Sequence, residues 1–363
     1  MCIIRLFLFA CLLTCPALAE NLVLMNGTII DGTGKPRVIG NVRIRDGKIA
    51  DIGAFKPAAG ETVLDVKGMI IAPGFVGLET ISAAAPDKIP AATLQILQGI
   101  TTVILGSDGS GPYSIEEFML PFDEKPPAVN IAMLVGHSTV RRQIMGSDYR
   151  RRPTADEIGQ MTALVEDAMR QGAFGLASDL RNEPASFSTA DELLALAKAL
   201  GRYGGTFFVH PRDETIKEPL DVARDAKVAL ELSLSKLTAT VLTDIDKARM
   251  QGIDVGAHIY AFAEPGRELR GLLQNPSITI SFAQYLRDDK AMTLERAIQK
   301  VTGLPASRIG LKERGGLRKG IPADIVVLNP MAPSSGPKHI FVNGTLVVRD
   351  GQPTDARPGQ ALR

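Results

Sequence analysis

The chain has 363 residues, of which 45% are hydrophobic, and it carries 41 lysines and arginines against 40 aspartates and glutamates. These values are typical of an ordinary globular protein with one large domain or two smaller ones, and they exclude a disordered or fibrous chain. A net charge this close to zero also argues against a nucleic-acid-binding protein, which usually carries a basic excess. The short basic run 150–152 is predicted to be a solvated loop.

Residues 1–19 have the pattern of a secretory signal peptide. A charged Arg5 precedes the apolar run 6–13, and a small-x-small ending follows at 17–19. The apolar run is too short to span a bilayer, which takes roughly 20 residues. We therefore expect an exported protein, periplasmic or secreted, that is cleaved near Ala19 and has no transmembrane span.

All three cysteines, Cys2, Cys11 and Cys15, lie inside this segment. Cleavage would leave a protein without thiols, which rules out disulfides, thiolate ligands to zinc and a cysteine nucleophile. A lipid anchor on Cys15 is the alternative, but Thr14 is larger than the small residue expected before an acylated cysteine.

Both ends of the remaining chain are rich in β-branched residues and in turn signals. The segments NLVLMNGTII, NVRIRDGKIADIG and TVLDVKG near the start resemble ADIVVLNP and KHIFVNGTLVVRDGQP near the end, with breaks at Asn-Gly, Asp-Gly and Lys-Gly pairs. Chain ends often lie close together in space. We predict a small β-sandwich domain assembled from residues 20–69 and 306–363.

The middle of the chain, 70–305, alternates apolar runs with amphipathic ones. Helix starts are indicated where Thr154 precedes Glu157 and Ser188 precedes Asp191, as a capping box requires. Continuous apolar strands separated by helices favour parallel strands buried on both faces. Eight such strands predict a (β/α)8 TIM-like barrel: MIIAPGFVG, ITTVILG, VNIAMLVG, AFGLASD, GTFFVH, VALELS, DVGAHIYAF and SITISF.

A barrel of this type carries its chemistry at the carboxyl ends of its strands. Imidazoles and carboxylates gathered there could hold a divalent metal, which lowers the pKa of a bound water to about 7. The polar residues at these positions are, in chain order, Glu79, Asp108, His137, Asp179, His210, Ser233 with Lys236, and His258.

Each of these residues also has a structural interpretation. His137 could bond the backbone where a strand turns into a loop, and His258 could be a satisfied core histidine. Glu79 and Asp108 could cap the following helix or turn. The glycines of GSDGSG around Asp108 resemble an anion-binding loop without the lysine that a phosphate site needs. His339 is expected to be structural or exposed in the terminal sheet.

Several long segments resemble the amidohydrolase superfamily. They are NLVLMNGTIIDGTGKPRVIGNVRIRDGKIADIG, IIAPGFVG, GLRKGIPADIVVLNP and HIFVNGTLVVRDG. The inner segments LVGHSTVRRQIMG, GAFGLASDL, FSTADELLALAKALGRYGGTFFVHPRDE and TLERAIQKVTGLPASRIGLKERG are similar to the N-acyl-D-amino-acid deacylase (D-aminoacylase) branch. The resemblance covers nearly the whole chain after residue 19 and implies a metal-dependent barrel with a β-sandwich built from both ends.

The resemblance implies a metal site with degenerate ligands. His210 matches a family ligand, Glu79 and Asp108 stand where other ligands are expected, and Ile81 replaces a histidine that the family normally has. A further ligand histidine is replaced at Leu234. The catalytic aspartate, expected in a Gly-Ser-Asp-Gly stretch, has no counterpart, and that region is shortened.

Two hypotheses follow from the resemblance. In the first, the protein is a hydrolase of non-peptide amide bonds in N-acyl amino acids. A divalent metal, zinc in the first instance, would be held by Glu79, Asp108 and His210. Lys236 and His137 would contact the substrate, and the catalytic candidates are Asp179 and His258.

In the second hypothesis the protein is a catalytically inactive barrel that binds a small molecule or a protein. A third idea, an intracellular imidase-like enzyme, is disfavoured by the signal segment. The sequence does not give the oligomeric state.

Overall fold

The computed structural model describes residues 21–78, 89–213, 215–234, 238–259, 293–332 and 336–363. The predicted signal peptide, Glu79, Lys236 and the predicted eighth strand SITISF lie outside the described residues. No helix within the described ranges is both long and apolar enough to cross a membrane.

The described strands fall at both ends of the chain and, between helices, in its middle. They are β1 (Leu22–Ile29), β2 (Val38–Arg45), β3 (Lys48–Gly53), β4 (Thr62–Asp65), β5 (Ile70–Pro73), β6 (Phe75–Leu78), β7 (Ile100–Leu105), β8 (Asn130–Met133), β9 (Val135–Gly136), β10 (Gly175–Asp179), β11 (Thr206–His210), β12 (Ala229–Leu234), β13 (Val255–Ile259), β14 (Ile325–Leu328), β15 (Pro337–Val342), β16 (Thr345–Arg349) and β17 (Gln352–Pro353).

The described α-helices lie between residues 93 and 308. They are α1 (Thr93–Leu97), α2 (Ile115–Glu124), α3 (His137–Met145), α4 (Ala155–Arg170), α5 (Ala190–Gly201), α6 (Lys217–Ala226), α7 (Ala239–Met250), α8 (Leu294–Val301) and α9 (Gly303–Arg308).

Two of these helices begin with the predicted type of cap. Thr154 and Glu157 form a capping box at the start of α4, as predicted. The box at α5 is formed by Thr189 and Glu192, one residue beyond the predicted Ser188 and Asp191. Two adjacent hydroxyl residues followed by two adjacent acids allow both pairings, so the pattern alone does not fix the first residue of α5.

One nine-stranded sheet joins the two ends of the chain. Its strands run in the order β17-β16-β15-β14-β5-β1-β2-β3, with β4 also paired to β1. Strands from both ends of the chain thus lie in one sheet, and the β-sandwich stays a prediction. β5 lies in this sheet between β1 and β14, just beyond the boundary expected at residue 69, and the domain division itself stays a prediction.

Asn-Gly and Asp-Gly pairs form most of the tight turns of this sheet. Asp46-Gly47 joins β2 to β3 and Asn343-Gly344 joins β15 to β16, with both residues of each pair at positive φ. Such turns match the twist of the strands that they join. Asn26-Gly27 differs from the prediction because it lies inside β1, where the pairing register with β2 shifts. It is a bulge and not a strand end.

The middle of the chain forms two parallel sheets that meet at the third strand position. One contains β6, β7 and β8, and the other contains β9 to β13 in sequence order. Leu134 separates β8 from β9, and its amide donates to the carbonyl of Leu105 over 2.9 Å. Seven of the predicted strands are present, although the first, 69–77, is divided at Pro73–Gly74 between the two kinds of sheet.

Alternate residues of the parallel strands pack into two different hydrophobic clusters. One set packs against the surrounding helices. The other set, which includes Ala177 of β10 and Phe208 of β11, packs with Ala306, Ile309 and Leu311 at the end of the chain's helical part. Successive strand residues point to opposite faces, so the residues two positions after Ala177 and Phe208 share their face. Those residues are the predicted Asp179 and His210.

A buried polar network links the nine-stranded sheet to β8. Asp324 accepts hydrogen bonds from Arg314 (2.9 Å), from Asn130 of β8 (2.8 Å) and from the amide of Asn343 (2.8 Å). Burial raises the pKa of Asp324, against the opposing effect of the Arg314 charge and of these bonds. The network therefore depends on Arg314 as its counter-charge.

Removal of this counter-charge should destabilise the fold. We expect Arg314→Met to lower the free energy of unfolding by about 3 kcal/mol or more, because a buried carboxylate loses its partner. Urea unfolding at pH 7 followed by circular dichroism measures the change. Arg318→Met, at an exposed position of the same segment, is the control and should change stability by less than about 0.5 kcal/mol. Equal effects of the two variants would contradict the assignment.

Candidate functional site

Four polar side chains form a row across β10 to β13. In the strand register, Asp179 of β10 lies opposite His210 of β11, and Ser233 of β12 lies opposite His258 of β13. The register of β11 and β12 is recorded up to the pair Val209 and Leu232. The next step brings His210 beside Ser233. Adjacent strands lie about 4.8 Å apart, so the four residues lie side by side at the carboxyl ends of the strands. The sequence predicted Asp179, His210 and Ser233 at the ends of their strands and His258 inside its strand.

Asp179 is clamped by the arginine that follows it by two residues. Its Oδ1 accepts from Arg181 Nε over 2.8 Å, and its Oδ2 accepts from Arg181 Nη2, also over 2.8 Å. Asn182 donates a further bond to Oδ2. Burial raises the pKa of Asp179, but the hydrogen bonds from Arg181 and the neighbouring positive charge outweigh burial and leave the pKa below its usual value. Asp179 is therefore a buried carboxylate with its own cation.

The same guanidinium also reaches His210. Arg181 Nη2 lies 2.8 Å from His210 Nδ1, and His210 Nε2 lies 3.3 Å from the carbonyl oxygen of Ser107. A guanidinium can only donate, so Nδ1 must accept with its lone pair. Nε2 then carries the hydrogen and donates a hydrogen bond to the backbone carbonyl oxygen of Ser107. In this arrangement His210 accepts a hydrogen bond at Nδ1 and donates one at Nε2.

His258 is held by a second carboxylate–arginine pair. Its Nδ1 lies 3.0 Å from Glu231 Oε1, and Arg308 of α9 donates to Glu231 Oε2 over 3.0 Å. The Glu231 side chain crosses to the neighbouring strand at Gly256, where a Cβ would lie 2.2 Å from Oε2. A larger residue at Gly256 would therefore displace the Glu231 and Arg308 side chains from their present positions. The Glu231–Arg308 pair therefore holds the His258 ring in position.

His137 lies in a fully buried network. Its Nε2 donates to Glu192 over 2.9 Å and its Nδ1 lies 2.9 Å from Ser178 Oγ, while Glu192 also pairs with Arg141. Burial raises the pKa of Glu192, but the bonds from His137 and Arg141 and their charges leave it lowered. Both nitrogens of His137 face the protein. The geometry therefore gives His137 a structural part and does not offer the substrate contact that we expected.

Asp108 lies in an exposed turn. Its carboxylate accepts from the amide of Ser110 over 3.0 Å and from the Ser110 hydroxyl over 2.8 Å. The loop that carries it packs on the end of β10, since a Cβ on Gly109 would lie 3.0 Å from the amide nitrogen of Asp179. Gly109 thus allows the loop to pack closely on the end of β10. This packing explains the glycine without an anion-binding role.

Of the predicted metal ligands Glu79, Asp108 and His210, the structure describes Asp108 and His210. Over the described ranges, which omit Glu79, no group of three histidine, cysteine, aspartate or glutamate residues is arranged to hold a metal. His210 and Asp108 are both described, and each is bonded to a different partner.

The sequence analysis missed the two residues that pair with the row, Arg181 and Glu231. Glu231 is a charged residue inside the apolar run VALELS, and Arg181 follows a strand-end aspartate by two positions. Both patterns could have been noticed.

The comparisons with known proteins agree with this architecture. The model of the amidohydrolase family matches residues 242–355. An N-acyl-D-aspartate deacylase from Alcaligenes xylosoxydans xylosoxydans is 29% identical, covering 96% of this chain and 95% of the relative. The solved N-acyl-D-glutamate deacylase from Bordetella bronchiseptica, complexed with zinc and a phosphonate inhibitor, is 25% identical with a TM-score of 0.82, covering 95% and 99%.

The chain is similar to amidohydrolases over nearly its whole length. Within them it resembles the N-acyl-D-amino-acid deacylase branch, as the sequence predicted. A D-aminoacylase from the same Alcaligenes organism is 26% identical, covering 94% of this chain and 97% of the relative.

The chain is shorter in its interior than the N-acyl-D-aspartate deacylase that it resembles. The alignment with the N-acyl-D-aspartate deacylase runs over 483 positions against 363 residues here, so at least 120 positions (483 − 363) of the relative have no counterpart. Both chains are covered almost from end to end, which places the difference inside the alignment. A shortened interior is what the missing Gly-Ser-Asp-Gly stretch predicts.

The metal of the zinc-containing relative does not fit the described residues of this chain. A histidine ligand must offer a lone pair, and a carboxylate ligand must turn an oxygen to the ion. In His210 the lone pair of Nδ1 accepts from Arg181, and the other nitrogen carries a proton. Asp108 bonds within its own turn. We therefore assign no chemical step to a metal held by these residues.

The buried contacts among His137, Glu192 and Arg141 predict an effect on stability. Glu192→Gln should lower the free energy of unfolding by about 3 kcal/mol or more, because Arg141 would lose its buried counter-charge. Thermal and urea unfolding measure the change. Asp191→Asn is the matched control on the same helix, since Asp191 is exposed, and it should have a small effect. A stability change confined to the control would contradict the assignment.

Proposed function

We propose that this chain hydrolyses an amide C–N bond in N-acyl amino acids, with a preference for the D configuration. The observation that carries the proposal is the near end-to-end match to N-acyl-D-aspartate and D-amino-acid deacylases. The substrate would approach the carboxyl ends of the parallel strands, where amidohydrolase-like barrels carry their chemistry. A closed eight-stranded barrel with a β-sandwich from both chain ends is part of the same proposal.

The residues at the strand ends supply defined charges for this reaction. Asp179 is a carboxylate whose pKa is lowered, and we propose that it takes up a proton from the attacking water after one of its hydrogen bonds to Arg181 or Asn182 is released. His258 stands in the same row as the alternative proton acceptor. Lys236 stays the proposed contact for the substrate carboxylate, on the resemblance alone.

The similar proteins support a divalent metal as the cofactor in this proposal, with zinc as the first candidate. The solved relative is described with zinc, and another is described by one-metal activation of its binuclear centre. The resemblance implies Glu79, Asp108 and His210 as the ligands of this metal. The described members of that set, Asp108 and His210, are bonded to Ser110 and Arg181, so the proposal assigns no step to a metal at these residues.

A second candidate function is a catalytically inactive amidohydrolase fold that binds N-acyl amino acids or a protein. The observation that favours it is the contact of one guanidinium with both Asp179 and His210. A site whose side chains are already paired with each other can recognise a ligand at its rim without activating water.

We further propose that the protein is exported and acts in the periplasm or outside the cell. The proposal rests on the signal-like pattern at 1–19. Mass spectrometry of the protein isolated from the periplasm of its expressing cell would give the first residue after cleavage, and an uncleaved cytoplasmic product would contradict it.

A substrate panel tests the hydrolase proposal. Mature protein is incubated with N-acetyl-D-aspartate, N-acetyl-D-glutamate, N-acetyl-D-leucine and the matching L-enantiomers, and the released amino acid is quantified by chromatography. We expect release from at least one D-substrate and a fall of about 100-fold or more in kcat for Asp179→Asn. Asp148→Asn, in an exposed turn, is the control and should keep full activity.

The outcomes separate the two candidate functions. Release of a D-amino acid that is lost in Asp179→Asn supports the hydrolase. Calorimetric binding of the same compounds without any release supports the binder. Neither binding nor release would contradict both.

A further inference from the structure

The environment of His210 differs from that of a metal ligand at one position. A histidine that binds a metal uses the lone pair of one nitrogen and donates its other N–H to a carbonyl or carboxylate. The second half of that arrangement is present, because Nε2 faces the carbonyl oxygen of Ser107. At Nδ1, where the ion would lie, the structure has Arg181 Nη2 at 2.8 Å.

We propose that the guanidinium of Arg181 takes the place of a divalent cation beside His210, so that this chain holds no metal there. The inference does not depend on the proposed hydrolysis, because it concerns which cation the site contains and not what the site does to a substrate.

Asp179 fixes the guanidinium in this position. Its Oδ1 accepts from both the amide and Nε of Arg181, at 3.1 and 2.8 Å, and its Oδ2 accepts from Nη2 and from Asn182, each at 2.8 Å. A carboxylate has about four lone-pair sites, so Asp179 is saturated. The nearest carboxylate of the row is therefore as unavailable to an ion as His210 is.

Charge adds to this steric exclusion. A guanidinium stays protonated at any pH at which the protein is folded, so it repels a second cation permanently. Arg181 and Asp179 are both largely withdrawn from water, with side chains 27% and 7% exposed, and screening between them and an incoming ion is reduced. A zinc ion would have to displace Arg181 from two partners before it could bind His210.

The proposal predicts that removal of the guanidinium creates a metal site. With Arg181→Met, the lone pair of His210 and one face of Asp179 open toward the same space. Zinc could then take these two ligands and complete its coordination with water. We expect wild-type protein to show no zinc at His210 and Arg181→Met to bind zinc at least about tenfold more tightly than the wild type.

The experiment uses mature full-length protein, dialysed against chelator and then against zinc at fixed free concentration. Zinc per chain is measured by mass spectrometry of the element, and affinity is measured by competition with a chromogenic chelator. The variants are Arg181→Met, His210→Ala, the double variant Arg181→Met with His210→Ala, and Arg202→Met. Arg202 pairs with Glu166 at the surface and serves as the matched arginine control.

Three outcomes support the proposal and two overturn it. Zinc gained in Arg181→Met, lost again in the double variant and absent in Arg202→Met supports it. Zinc in the wild type that persists in His210→Ala also supports it, since that ion lies elsewhere. Wild-type zinc that is lost in His210→Ala overturns it.

A folded Arg181→Met that binds no more zinc than the wild type also overturns it. If Arg181→Met does not fold, the zinc content of the wild type compared with that of His210→Ala still shows whether a metal is bound at His210. A hydrolase that is active without metal is the third supporting result, whereas failure of hydrolysis alone tests only the proposed function.

Discussion

The candidate site depends on the parallel register of β10 to β13. Pairing in step places Asp179, His210, Ser233 and His258 next to one another, although they are far apart in the chain. A shift of one residue in any strand would turn its polar residue to the face covered by helices. The hydrophobic residues two positions earlier, such as Ala177 and Phe208, hold that register by packing against the end of the helical region.

Burial of polar groups near this row imposes the second constraint. A buried histidine or carboxylate needs partners, or the fold loses free energy. The chain meets the need in the same way three times, with an arginine and a carboxylate beside a histidine. The three groups are His210 with Asp179 and Arg181, His137 with Glu192 and Arg141, and His258 with Glu231 and Arg308. Arginine thus supplies the positive charge in each group.

The likeness to metal-containing deacylases therefore lies in the scaffold more than in the atoms of the site. A TM-score of 0.82 and coverage of both chains show a shared fold. The atoms that decide chemistry are a few lone pairs, and in this chain those of His210 and Asp179 accept from Arg181. A fold alone does not choose between hydrolysis and binding. That choice depends on whether water or an ion can reach these lone pairs.

The sequence by itself determined the elements and their faces. Alternating and continuous apolar runs fixed the strands, Asn-Gly and Asp-Gly pairs fixed most turns, and a polar residue after each apolar run marked the strand ends, because these patterns act over a few residues. The tertiary structure decided the partners. Glu192 reaches His137 from 55 residues away and Arg308 reaches Glu231 from 77, so no local pattern could assign them. Hydrogen bonding across such separations is set only when the strands and helices are packed, and it decides which group each histidine nitrogen contacts.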